Sequence, residues 1–214
     1  MIHASASLDA PVPRLLAALG TPKGRDGPDT VVIGPAGTTD VLAEGLDRCP
    51  QARLLVMSVL GTHPDARAAR LRSLWTLEER ARASGRPVLT LRLAPIVGPK
   101  SPLWLRLRSR PTLPGRGRPI LNPVGEEEVV ETLVRAFDGR ATWEGWYEVA
   151  GPEALTLEEL AALAARLPRL PHGAGNWEPP IAEFRDQGLA EPRPWSEHFG
   201  VTPRDVSSRA ASWS

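Results

Sequence analysis

Apolar positions along the chain fall into short continuous runs that alternate with stretches of helical spacing. DTVVIG, residues 29–34, is a β-branched run closed by glycine. TTDVLAEGLDRCP then opens on Thr and Asp and sets Val41, Leu42 and Leu46 at helical spacing, which predicts strand, turn, helix. ARLLVMSVLG, residues 52–61, is apolar throughout, the pattern of a strand covered on both faces of a parallel sheet. A second helix is predicted from about Ala66 to Ser84 with Gly85 as its C-cap, and PVLTLRLAPIVGP supplies another buried strand. GEEEVVETLVRAFDG is an amphipathic helix with three glutamates in its first turn, where the macrodipole favours them. GWYEVAGP reads as a short strand, and LTLEELAALAARLP starts with Thr156 and Glu159 at capping-box spacing. Such alternation predicts an α/β fold, a three-layer parallel sheet over residues 1–167. Residues 168–214, rich in proline, glycine and charge, are expected to form an irregular segment that packs on this core through Trp177, Phe184, Trp195 and Phe199.

Composition narrows the classes. A chain of 214 residues suits one substantial domain. Lys and Arg total 26 against 25 Asp and Glu, so no overall field draws it to nucleic acid or membrane, and any such attraction must be local. One cysteine, Cys49, excludes an internal disulfide, and His3, His63, His172 and His198 are too scattered for a local ligand motif, so no metal residue is assigned. No apolar run approaches the roughly 20 residues of a membrane span. MIHASASLDAPVPR lacks an export signal, so a cytoplasmic location is expected.

The order of LLVMSVLG, LRSLWTLEERARASG, PVLTLRLAPIVGP, NPVGEEEVVETLVRAF, GWYEVAGPEALTLEELAALAAR and HFGVTPR resembles the short-chain dehydrogenase/reductase superfamily, in its atypical and extended, NAD(P)-binding, epimerase-like members. The resemblance implies that Ser58 corresponds to the serine that contacts the substrate carbonyl. It also implies that Arg70 and Leu74 stand where that family carries a Tyr acid and a Lys that anchors the cofactor. Arginine stays protonated at neutral pH and cannot donate a proton as that tyrosine does, and leucine has no polar atom. The sole tyrosine, Tyr147, lies far downstream. The nearest glycine-rich turn, VVIGPAGTTD, has Gly34 and Gly37 but Asp40 where a third glycine belongs. Residues 1–27 match either the family's third strand and helix, with Leu8 and Asp9 in its Gly-Asp-Leu-x-Asp sequence, or its first strand with two strand-helix units deleted. The expectation is a truncated Rossmann-like fold with no catalytic, cofactor-binding or metal residue, no cofactor and no enzymatic activity.

Residues 100–118 carry six cations and no acid, interleaved with Leu103, Trp104, Leu105 and Leu107. Lys100, Trp104, Arg106, Arg108, Arg110, Arg116 and Arg118 are the candidate interface for an acidic protein or anionic headgroups, where each cation contributes about 1 kcal/mol. The alternative is a charged guard on a sheet edge. Of seven tryptophans, Trp75, Trp143 and Trp146 are expected in the core, and Trp104, Trp177, Trp195 and Trp213 in loops or the tail, with at least one at an interface. An accessory subunit of respiratory complex I has this family's fold. By that analogy the expected role is a scaffold subunit docked on the cytoplasmic side of a respiratory or photosynthetic membrane complex. An NAD(P)-binding oxidoreductase or redox sensor, and a binding protein whose pocket near Ser58, Pro95 and Gly98 holds another ligand, are the alternatives.

Overall fold

The computed structural model describes residues 2–4 and 29–213. Its main sheet has five strands in the order β1-β2-β3-β4-β8, all parallel. These are β1 (Ile2–Ala4), β2 (Thr30–Ile33), β3 (Arg53–Val59), β4 (Val88–Leu93) and β8 (Trp146–Val149). Two short pairs accompany it: β5 (Ile96–Val97) with β7 (Val124–Gly125), and β6 (Ile120–Leu121) with β9 (Leu155–Thr156). β1 pairs in parallel with β2 at the edge of the sheet. Leu8, Asp9 and the helix expected after them lie outside the described residues.

Three layers follow from the alternation of side chains along each strand. On one face Val31, Ile33, Leu54 and Val56 pack against Leu42 of α1 (Thr39–Arg48) and Leu71, Leu74 and Leu77 of α2 (Ala69–Ala83). On the other, Leu55, Met57, Leu89 and Leu91 meet Val129 and Leu133 of α4 (Glu126–Phe137) together with Trp195 and Phe199 of α6 (Arg193–Phe199). Trp195 Nε1 donates to Thr132 Oγ1 at 2.9 Å, which pins the tail helix to α4. The capping box at the start of α5 (Leu157–Ala164) forms as the sequence predicts, with Glu159 N donating to Thr156 Oγ1 and Thr156 N to Glu159 Oε2.

A third apolar cluster was not foreseen. Residues 102–108, expected as loop or strand edge, form helix α3 (Pro102–Arg108), started by Ser101, whose hydroxyl accepts from Trp104 N. Leu103, Trp104 and Leu107 pack with Leu157, Leu160 and Phe184, with Val206 of α7 (Val206–Arg209), and with Trp213. The tryptophan assignments change in part. Trp104 and Trp213 are core, Trp195 packs on the core as expected of the tail, Trp75 and Trp143 are half-buried, and Trp146 is 50% exposed on the edge strand.

Candidate functional site

The C-terminal ends of β2, β3 and β4 meet in a crevice, the place where open α/β sheets bind ligands. Pro35, Val59, Arg70, Ala94 and Gln187 are among its lining residues, and it encloses only about 50 Å³. Two segments from distant parts of the sequence determine its chemistry. Arg70 lies in the first turn of α2, and Glu183 comes from a 3-10 turn, Ile181–Glu183, in the tail. Arg70 Nη1 donates to Glu183 Oε1 at 2.9 Å and to Oε2 at 2.7 Å, while Nη2 donates to the Pro35 carbonyl at 3.0 Å. The Glu183 side chain is 2% exposed. Burial pushes its carboxyl above the usual carboxylate range, an effect that the Arg70 hydrogen bond and charge oppose and the Asp186 charge reinforces.

The tail segment is held to the crevice by its backbone as well. Asp186 Oδ2 accepts from Ala68 N at 2.8 Å, and the Asp186 carbonyl approaches Gly61 so closely that a Cβ there would lie 2.3 Å from it. Gly61 is therefore required twice over, since its φ is +79°. Ala190 N donates to Asn122 Oδ1 at 3.0 Å, securing the far end of the segment.

Ser58 is fully buried, and its hydroxyl pairs with Thr62 Oγ1 at 3.1 Å, which in turn donates to the Val59 carbonyl. Its partner is a side chain of its own turn. Leu74 packs in the apolar cluster beneath β2 and β3. Tyr147 stacks on His198 at 4.3 Å and meets Phe199 edge-on, on the tail-helix side of β8. The glycine turn after β2 closes on itself, with Gly37 N donating to the Gly34 carbonyl and a Cβ at Gly37 falling 2.2 Å from Ile33 Cγ2. Gly37 thus serves packing. Leu74 has no polar atom to offer a cofactor ribose and the Gly34–Gly37 turn is closed against Ile33, so the residues described at this crevice do not make the nicotinamide site that the resemblance implies. Among the described residues no cluster of three or more His, Cys, Asp or Glu could hold a metal ion, and no helix is long and apolar enough to cross a membrane.

The basic segment divides. Trp104 is 0% exposed and sits edge-on to Trp213 at 5.0 Å, so it cannot be the surface anchor expected of it. Arg106 lies over the Trp177 ring at 5.6 Å, and Arg108 and Arg110 donate to the carbonyls of Pro168 and Ala165. These three cations fasten the tail to α3 and α5. Lys100 is exposed on the turn before α3. Arg116 and Arg118 are exposed and line an open groove of about 590 Å³ together with Arg185, Pro119, Ile120 and Phe184. Among the described residues no carboxylate lines that groove. Arg116 has φ +56°, an uncommon left-handed conformation for a non-glycine residue. The sequence did not signal Arg185, because it lies 67 positions beyond Arg118 in a stretch read only as tail.

No protein-family model matches the sequence, and no curated protein matches it. Solved structures do. The UDP-glucuronic acid 4-epimerase of Bacillus cereus, in complex with UDP-glucuronic acid and NAD, superposes with a TM-score of 0.56 at 13% identity, over 81% of this chain and 63% of that one. The ADP-L-glycero-D-manno-heptose-6-epimerase of Helicobacter pylori gives 0.57 at 16% identity, over 93% and 74%. MoeE5 in complex with UDP-glucuronic acid and NAD gives 0.67 at 14% identity, over 99% and 98%. The chain spans under two thirds of the length of the Bacillus cereus enzyme. It shares the α/β, Rossmann-like fold of these structures. The respiratory-complex branch is not among these structures. One expectation is thereby corrected: the exclusion of enzymatic activity does not stand, because the fold is that of an enzyme family.

Proposed function

We propose that this chain recognises an anionic, phosphate-bearing small molecule of the nucleotide-sugar class through the groove of Arg116, Arg118 and Arg185. The observation that carries this reading is three exposed guanidinium groups on one groove with no carboxylate among its described lining residues. Guanidinium forks match phosphate oxygens two at a time, and the groove's volume lies within the range of small-molecule sites, about 300–1,000 Å³. Nucleotide sugars are the ligands held by two of the structures it resembles. The left-handed Arg116 adds support, since strained backbone gathers at binding sites. Calorimetric titration with UDP-glucose, UDP and inorganic phosphate tests it. Saturable binding that weakens with salt and disappears in R116E/R118E/R185E is expected. Binding indifferent to that triple change, or no binding at all, defeats the reading.

A second reading rests on a separate observation. Ile120, Ile181 and Leu189 are 47%, 50% and 60% exposed, and Ile120 shares the groove with the arginines. Apolar side chains beside arginine make a surface suited to an acidic protein. Under this reading the chain is an accessory subunit of a larger assembly, and a bacterial respiratory or photosynthetic membrane complex touched from its cytoplasmic face is the candidate. Co-purification from the native source that survives R116E/R118E/R185E would remove it. Flotation with vesicles of anionic or neutral lipid separates headgroup contact from protein contact.

A further inference from the structure

The Arg70–Glu183 pair has the form of an occupied ligand site. Both oxygens of one carboxylate are held by a guanidinium at the strand-end crevice, yet that carboxylate belongs to the chain itself, 113 residues away in sequence. A second atom in the crevice points the same way. Gln187 is 4% exposed and lines the crevice, and its Oε1 is buried without a hydrogen-bond partner. A buried acceptor left unpaired is unfavourable, which invites a donor from an occupant. Among the ties of the segment carrying both residues to the sheet ends are Arg70 to Glu183, Ala68 N to Asp186 and Ala190 N to Asn122, and Phe184 is buried in it. The opposite side of the same segment, through Phe184 and Arg185, lines the arginine groove.

We propose that residues 178–190 form a strap over the crevice, and that Glu183 is an internal stand-in for the carboxylate of a small anionic ligand, which takes Arg70 when the strap lifts. The ligand class follows from the donor set. Arg70 offers a cationic donor, and Val59, Pro95 and Ile96 an apolar wall, and none of these moves with the strap. A small carboxylic acid with an apolar body meets both. The strap closes the site in its absence and spares Arg70 an unpaired charge. This inference goes beyond the arginine groove and does not depend on what that groove binds.

The test uses the full chain and reads amide hydrogen exchange at Ala68 and Gln187, whose N–H groups are bonded to Asp186 and Glu183 respectively. In the wild type both should exchange through a local opening at least tenfold more frequent than the opening that exposes Leu55 in β3. Glu183→Ala vacates the carboxylate position. Exchange at both amides should then quicken by tenfold or more, and acetate at tens of millimolar should slow it again, whereas its neutral isostere acetamide should not. Arg70→Leu added to Glu183→Ala should abolish the acetate response. If Glu183→Ala does not fold in buffer alone, recovery of a cooperative melt in acetate and not in acetamide reads the same property. The proposal fails if acetate has no effect, if acetamide acts equally, if the response survives loss of Arg70, or if wild-type Ala68 and Gln187 exchange only with global unfolding.

Discussion

Replacing Trp104 separates a core role from a surface role. The side chain is fully buried, faces Leu103 and Leu107 on its own helix, and presents an edge-to-face contact with Trp213 at 5.0 Å. Truncating a buried tryptophan to alanine costs about 3–5 kcal/mol, and an aromatic pair of this geometry accounts for about 0.5–1.5 kcal/mol. One feature lowers the figure. Trp104 Nε1 is buried with no acceptor, so the folded state already bears the desolvation of that N–H, about 1–3 kcal/mol, which truncation relieves. Trp104→Ala is therefore expected near the low end, about 3 kcal/mol, a fall of roughly 6–12 °C in Tm for a chain of this size. Trp104→Phe keeps most of the apolar area and removes the orphaned donor, so its cost should stay within about 1.5 kcal/mol. Urea denaturation and calorimetry measure both. An alanine variant within about 1 kcal/mol of the wild type, or a phenylalanine variant worse than the alanine one, would refute the burial argument.

Glu78 and Arg92 form a buried pair, with Arg92 Nη2 donating to Glu78 Oε2 at 2.7 Å and the guanidinium 4.4 Å from the Trp146 ring. Glu78→Ala should lose about 3–5 kcal/mol, while Glu78→Leu combined with Arg92→Met should cost far less or stabilise, as urea denaturation can show. Burial, with the Glu144 charge adding to it, holds the Tyr147 phenol above its ordinary range. The stability this gives is present below the ordinary phenol pKa and is lost as pH rises through the raised one. Tyr147 is the only tyrosine, so absorbance titration should place a single midpoint on the alkaline side of a free phenol. Thr156 N–H and hydroxyl hold Glu159 below the usual carboxylate range. That contribution is present above the ordinary carboxylate pKa and is lost as pH falls through the depressed one. Thr156→Ala should cost about 1 kcal/mol and move the Glu159 titration upward in carboxyl-carbon NMR.

The sheet was legible because burial on both faces writes itself locally. TVVI and RLLVMSV had to be central strands, and Thr156 with Glu159 had to start a helix. The helix at 102–108 was not legible. Its Leu-Trp-Leu-Arg-Leu-Arg run alternates with a period of two, and only the cap at Ser101 and the packing of Trp104 on Trp213 reveal a helix. Of the candidate interface, Arg116 and Arg118 line the groove, Arg106 and Arg108 turn to the tail, and Arg110, also exposed, reaches the Ala165 carbonyl at the end of α5. The sequence assigned all six cations alike, because the contacts that distinguish them come from residues 165–177, more than 50 positions on.

Arg70 shows why the site lay beyond reach of sequence patterns. Read alone, a cation in place of a proton donor looks like simple loss. In the fold it creates a requirement, since a guanidinium at the strand ends with no anion would be a partly desolvated charge. Glu183 meets that requirement, and in doing so commits the tail to lie across the crevice, which places Arg185 beside Arg116 and Arg118 on the opposite side. Leu74 completes the arrangement by packing into the cluster of Ile33 and Leu77, so that the helix carrying Arg70 is fixed by an apolar residue. Glu183 and Arg185 thus stand two positions apart on one segment, the first at the crevice and the second at the groove.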